Sequence, residues 1–353
     1  MLNRFKSRLS VLSLAIIASL TSVTIAGAQE PTRMVVGFPG GQLGDVLKKV
    51  FVPWERDNNI KIEWVVGAST ELVSKASASK DNPEFDVIFG DELSAYAAST
   101  RGLLSRIDES IVTNYKDVVP RARSETNDSV GYGTFSAAIF YNTVEFEKRG
   151  WAPPKVWKDL LRPEFCKVTS WFHVNVSYGA IALIMLADGD PAQVESKAIP
   201  MVIAHKNCIT VFETSPPKLE EKVQLGDYLL GNIAMQRAQA LVDKGLPIKV
   251  FIPEDGVVAA FATAAVVKNE AKPERMKLGQ RFINHLLSPD VEKTILETMY
   301  YGPSNQKVAI PKELSARGVL DAEGIKRMVN VSPKEVAEFR QQWARTLDRG
   351  MAR

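Results

Sequence analysis

Apolar positions along this chain follow two periods in turn. Short apolar runs read as strands, and each is followed by a stretch with apolar residues at helical spacing. The first run, Arg33 to Phe38, ends at Pro39-Gly40-Gly41-Gln42. Val46, Leu47, Val50, Phe51 and Trp54 then mark one face of a helix predicted over Leu43 to Asp57. Ile60 to Val66 is a second strand, and Gly67-Ala68-Ser69-Thr70 leads into a helix over Glu71 to Ser79. A third strand, Phe85 to Phe89, precedes Gly90-Asp91-Glu92 and a helix over Leu93 to Arg101. This βαβαβ order predicts a parallel sheet with helical crossovers.

Residues 130 to 142 form a Gly-, Tyr- and Phe-rich, strand-like stretch, after which a second α/β run opens at Lys155 to Leu160. Its strands are predicted at 168–171 and 209–212, at the Asn232 to Met235 segment and at 248–252. Helices are predicted over 177–186 and 236–244. Residues 256 to 267 are extended and apolar again and read as a return crossing. Helices follow over 273–287 and 290–299, and in a tail, 332–351, with Val336, Phe339, Trp343 and Leu347 on one face. The expected fold is α/β, with two α/β units in series.

The N-terminus has the pattern of an export signal. Arg4, Lys6 and Arg8 precede an apolar stretch broken by serine and threonine, and Ala26-Gly27-Ala28 offers a small-residue cleavage site. Residues 1–28 are expected to be removed, with no cysteine nearby to carry a lipid. They hold three basic and no acidic residues, so the rest of the chain carries 41 of each sign. A near-neutral protein of that kind is not built around nucleic acid or an anionic membrane surface. In an exported chain the two cysteines, Cys166 and Cys208, suggest one disulfide, the alternative being two buried thiols. Each precedes a predicted strand, and if those strands are parallel neighbours the sulfurs lie close.

Several segments, in order, resemble the extracellular solute-binding proteins of the spermidine/putrescine-binding type, within the type 2 periplasmic binding proteins of ABC importers. They are the strand–Gly-Gly–helix opening; Phe85-Asp86-Val87-Ile88; Tyr132-Gly133-Thr134 through Tyr141-Asn142-Thr143; Trp157-Lys158-Asp159-Leu160; Pro253-Glu254-Asp255-Gly256; Phe282-Ile283-Asn284-His285-Leu286-Leu287-Ser288-Pro289; and Tyr301-Gly302-Pro303-Ser304-Asn305. The resemblance implies two lobes, 29–133 with 259–305 and 134–258, joined by two crossing strands, with 306–353 packed on them. It also implies a monomer in the periplasm, a ligand in the cleft, hinge closure and a membrane permease as partner.

Ligands of open α/β sheets lie beyond the carboxyl ends of the strands. The candidate contacts there are Gly40, Gly41 and Gln42; Ser69 and Thr70; Asp91 and Glu92; Phe135 and Ser136; Ser177 and Tyr178; Met235, Gln236 and Arg237; and Phe261 and Thr263. Asp91 is also well suited to cap the following helix, and Arg237 to a salt bridge. Polyamine-binding relatives place an acid on the return crossing, whereas here it reads Ala259-Ala260-Phe261-Ala262-Thr263. Without a counter-charge, stripping water from an ammonium costs several kcal/mol. An amino acid or opine-like ligand therefore fits at least as well as a polyamine. No cofactor or metal site is expected: His173, His205 and His285 lack ligand spacing, and Tyr300-Tyr301 reads as packing. A sensor-feeding binding protein is one alternative. A secreted hydrolase is another, but the chain has no G-x-S-x-G elbow.

Overall fold

The computed structural model describes residues 30–258, 260–316, 318–320, 325, 328, 329 and 331–352. The expected leader, residues 1–28, and Ala259 lie outside the described residues.

Two five-stranded mixed sheets organise the chain from Thr32 onward. The first contains β1 (Thr32–Phe38), β2 (Ile60–Val66), β3 (Val87–Asp91), β4 (Val130–Phe135) and β10 (Ala260–Val266), in the order β2-β1-β3-β10-β4. The second contains β5 (Ala137–Asn142), β6 (Thr169–Phe172), β7 (Phe212–Glu213), β8 (Leu230–Ala234) and β9 (Ile248–Phe251), in the order β7-β6-β8-β5-β9. β1 pairs parallel with β2 and β3, as the βαβαβ reading requires, and β10 returns antiparallel between β3 and β4. The chain therefore changes sheet twice, at Ser136 between β4 and β5 and again between β9 and β10. These two crossings join two lobes.

The helices follow the predicted order. In the first lobe they are α1 (Gly41–Asn58), α2 (Ser69–Ala78), α3 (Glu92–Thr100), α9 (Pro273–Leu286) and α10 (Pro289–Met299). Phe51 of α1 stacks on Phe282 of α9 with centroids 4.0 Å apart, and Trp54, Trp64 and Phe89 surround the pair. In the second lobe are α4 (Thr143–Arg149), α5 (Ser177–Leu186), α6 (Ile199–Ala204), α7 (Pro216–Leu225) and α8 (Met235–Asp243). α5 is buried on every side from Gly179 to Leu186, which explains why its sequence has no polar face. The C-terminal helix, Pro333–Ala352, buries Val336, Trp343 and Leu347 in the core of the second lobe.

Three local expectations change. β3 starts at Val87, not Phe85, because the Asp86 carboxylate accepts the Val35 amide at 2.7 Å and pairs with Arg275. The predicted strand 209–212 shrinks to Phe212–Glu213, since only Trp171 and Phe172 face it and Val211 is exposed. Helices α4, α6 and α7 arise where no helix is predicted. Cys166 and Cys208 form a disulfide with Cα atoms 4.4 Å apart, as the export signal suggests. The Lys167 amide donates to the Cys208 carbonyl at 2.9 Å, which sets the two segments side by side just before β6.

Candidate functional site

In the first lobe the edge is made where β1, β2 and β3 turn into helices. Gly40 and Gly41 take left-handed backbone, and a Cβ on Gly40 would meet Val66 Cγ1 at 2.8 Å. Gly41 and Gln42 are exposed on this rim, with Gln42 Nε2 donating to the Thr298 carbonyl at 3.4 Å. Ser69 sits next to Gly90 and Thr70 is exposed.

Asp91 caps α3. Its carboxylate accepts the Ser94 amide at 2.8 Å, while the Asp91 amide donates to Ser94 Oγ at 2.9 Å. Glu92 turns inward, pairs with Arg121 and accepts the Phe261 amide at 3.1 Å. Burial raises the Glu92 carboxyl, opposed by Arg121. Phe261 is fully buried with the Arg121 guanidinium over its ring, and Thr263 Oγ1 donates to the Asp91 carbonyl at 3.1 Å. Glu92, Phe261 and Thr263 thus lock β10 to the start of α3. Glu92 and Thr263 also border a cavity of about 270 Å³ shared with Arg121 and Asp128.

In the second lobe α5 starts just after β6, and α8 starts directly off β8. Neither has a side-chain cap or an acid in its first turn. The Met235 amide donates to the Ser136 carbonyl at 2.9 Å, but those of Gln236, Arg237, Ser177 and Tyr178 have no intrahelical acceptor. Asn232 Nδ2 donates to the Tyr178 carbonyl at 2.9 Å, tying β8 to the start of α5. Asn232 Oδ1 and Gln236 Oε1 are buried without a partner among the described residues. Native interiors rarely leave such acceptors unbonded.

The two edges meet at Phe135. Its ring lies 6.1 Å from Tyr178 and 6.2 Å from Tyr301. Burial raises both phenols, and the Arg237 charge and the Gln236 amide oppose this at each. Burial works to lower the Arg237 guanidinium, but the bond and charge of Glu220 outweigh it and its pKa is raised. Met235 is buried beneath Gly318. A small pocket of about 60 Å³ at this seam is walled by Asp91, Phe135, Ser177, Ala260 and Val336. The Tyr300 hydroxyl, at the end of α10, bonds Asp243 Oδ2 of α8 at 2.5 Å and so links the lobes directly.

Of the residues predicted from sequence, Asp91, Glu92, Phe135, Ser136, Ser177, Tyr178, Met235, Gln236 and Arg237 come together at the seam. Gly40, Gly41, Gln42, Ser69 and Thr70 form the rim of the first lobe, and Phe261 and Thr263 lie in the wall behind. Three residues escaped sequence reasoning. Asn232 lies within a strand, and Tyr301 is indistinguishable by pattern from a packing tyrosine. Arg340 lies on the C-terminal helix, where its Nε donates to the Val174 carbonyl at 2.8 Å. Among the described residues no group of histidine, cysteine and acidic side chains could hold a metal ion.

Two α/β lobes, two crossings and a polar seam between facing strand ends define a two-lobed ligand-binding protein. Residues 49–320 match the model of the bacterial extracellular solute-binding protein family, and the chain belongs to that family. It is 24% identical over 283 residues to the spermidine/putrescine-binding periplasmic protein of Salmonella typhimurium, covering 76% of this chain and 75% of that one. Among solved structures it is similar to an ABC transporter protein from Clostridium perfringens, with a TM-score of 0.75, 20% identity, and coverage of 90% of this chain and 99% of that one. It is also similar to iron-bound HitA from Pseudomonas aeruginosa, with a TM-score of 0.73, 17% identity, and coverage of 90% and 99%. By family the chain is therefore an extracellular solute-binding protein. No described helix is long and apolar enough to cross a membrane.

Proposed function

We propose that this protein captures a small, amino-acid-like or opine-like solute carrying an acidic group, by hinge closure at the seam, and passes it to a membrane permease. The carrying observation is the state of the charges there. The α5 and α8 ends are uncapped and hold no acid in their first turns, with Arg237, paired to Glu220, and two buried phenols beside them, and such helix ends favour anions. The carboxylates at the seam are already committed, Asp91 to the α3 cap and Glu92 to Arg121 and Phe261. Gln236 Oε1 and Asn232 Oδ1 provide neutral acceptors for a ligand N–H. The name of the Salmonella relative favours a polyamine, but β10 carries no acid to meet one. Export with removal of residues 1–28, a monomeric protein, and lobes bounded at 29–133 with 259–305 and at 134–258 belong to the same proposal.

The test is thermal unfolding of the mature protein, stripped of carried-over ligand, against polyamines, amino acids, opines and sugar acids. A ligand at a hundred times its dissociation constant stabilises by roughly 2.7 kcal/mol. The expected hit carries a carboxylate and is lost in Arg237→Gln. A response to polyamines alone overturns the proposal.

A further inference from the structure

The match to the family model stops at residue 320, yet the C-terminal helix reaches the seam. Val331, Pro333 and Val336 wall the small seam pocket together with Asp91, Phe135 and Ser177. Arg340 lies one turn beyond Val336 on the same helix face. Its Nε is fixed on the Val174 carbonyl, three residues before the first residue of α5. Among the described residues no carboxylate lies within ion-pairing distance of Arg340, and its Nη atoms have no hydrogen-bond partner. Asp91 is the acid whose charge it feels, and that carboxylate already caps α3. At the start of α5, Gln236, 8% exposed, faces Tyr178 with Oε1 buried and unbonded. A half-buried guanidinium with two free donor groups, set at an uncapped helix end, presents a fork matched to a carboxylate or phosphate.

We propose that Arg340 is a specificity-determining residue, its guanidinium receiving the acidic group of the ligand at the start of α5. This inference rests on the anionic-ligand reading above. It predicts that the C-terminal helix, besides filling the core of the second lobe, contributes a charged donor to the cleft and disfavours cationic solutes.

The experiment compares carboxylates with their carboxamides. L-glutamate, L-arginine, gluconate and octopine, each against its amide, are titrated calorimetrically into the unmodified protein, Arg340→Gln and Arg340→Lys. The expected result is a loss of roughly tenfold to a hundredfold in carboxylate affinity for R340Q, little change for the amide, and a smaller loss for R340K. Melting of each unliganded variant reports whether it folds. If R340Q does not, R340K decides by the same carboxylate-to-amide ratio. An equal loss for acid and amide shows that Arg340 only braces the Val174 loop, and overturns the inference. Unchanged carboxylate affinity in R340Q with loss in R237Q overturns it while leaving the anionic-ligand reading intact. If no carboxylate binds the unmodified protein, both fall.

Discussion

Glu292 lies in α10 with 1% of its surface exposed and, among the described residues, no cation paired with it. Its carboxyl accepts Ser304 Oγ at 2.7 Å and the Asn305 amide at 2.7 Å. Burial outweighs both donors and pushes its pKa up to about 8 from 4.5. The folded protein therefore holds this proton over a range in which the unfolded chain has released it. Stability from this group is fully present below about pH 4.5 and is lost as pH rises to about 8 and beyond. Each pKa unit is worth about 1.4 kcal/mol, so the whole change is of the order of 5 kcal/mol, a large share of the stability of a typical protein. The perturbation is Glu292→Gln, which keeps the shape and removes the titration. Urea unfolding of both proteins between about pH 5 and pH 9 cancels every other titrating group in the difference. The stability of the unmodified protein relative to E292Q should fall across that range by several kcal/mol. A difference that stays flat with pH refutes the reasoning. The consequence reaches the seam, because Ser304 and Asn305 close the turn that carries Tyr301, and Gly302 pairs with Thr134 of β4 in both directions at 2.6 and 3.0 Å.

Other expectations follow from the same structure. Replacing Cys166 and Cys208 together by serine opens a loop with a sequence separation of 42 and should cost about 4 kcal/mol, read as a lower urea midpoint that reduction of the unmodified protein reproduces. Tyr300→Phe removes the hydroxyl that bonds Asp243 across the cleft, and should weaken binding of any ligand roughly threefold to tenfold through faster release, seen in stopped-flow dissociation. Trp343→Ala empties a site 1% exposed in the core of the second lobe and should cost roughly 3–5 kcal/mol in chemical unfolding.

The periodic elements were legible because each has one buried face. Leu47, Phe51 and Trp54 mark α1 as plainly in sequence as in the packed core. The errors have local causes. Ile209, Thr210 and Val211 have strand composition, but pairing at that edge begins only at Phe212. α6 is short and starts with Ile199-Pro200, with no polar face long enough to show a helical period. At the site, the positions beyond the strand ends were readable from topology. The roles of the side chains were less so. Asp91 and Glu92 are adjacent acids with different surroundings, one capping a helix and the other buried against Arg121, which composition alone cannot separate. Tyr301 comes near Tyr178, and Arg340 reaches Val174, only through the packing of distant segments.

The proposed anionic ligand has a physical basis in how the seam acids are used. A cationic ligand needs an acid left free by the architecture, and the seam acids Asp91 and Glu92 are both engaged within the first lobe. What the fold leaves unbonded there is mixed: donors in the amides at two helix ends and the Nη groups of Arg340, and neutral acceptor oxygens on Gln236 and Asn232. A buried polar group without a partner costs free energy, so a closed cleft favours the solute that satisfies those groups. On the proposed reading, specificity in this chain would follow from its unbonded donors and acceptors more than from its ancestry. An acid with a nearby N–H satisfies the set, whereas a diamine would leave the helix-end amides and the Arg340 donors bare and add a second buried cation beside them.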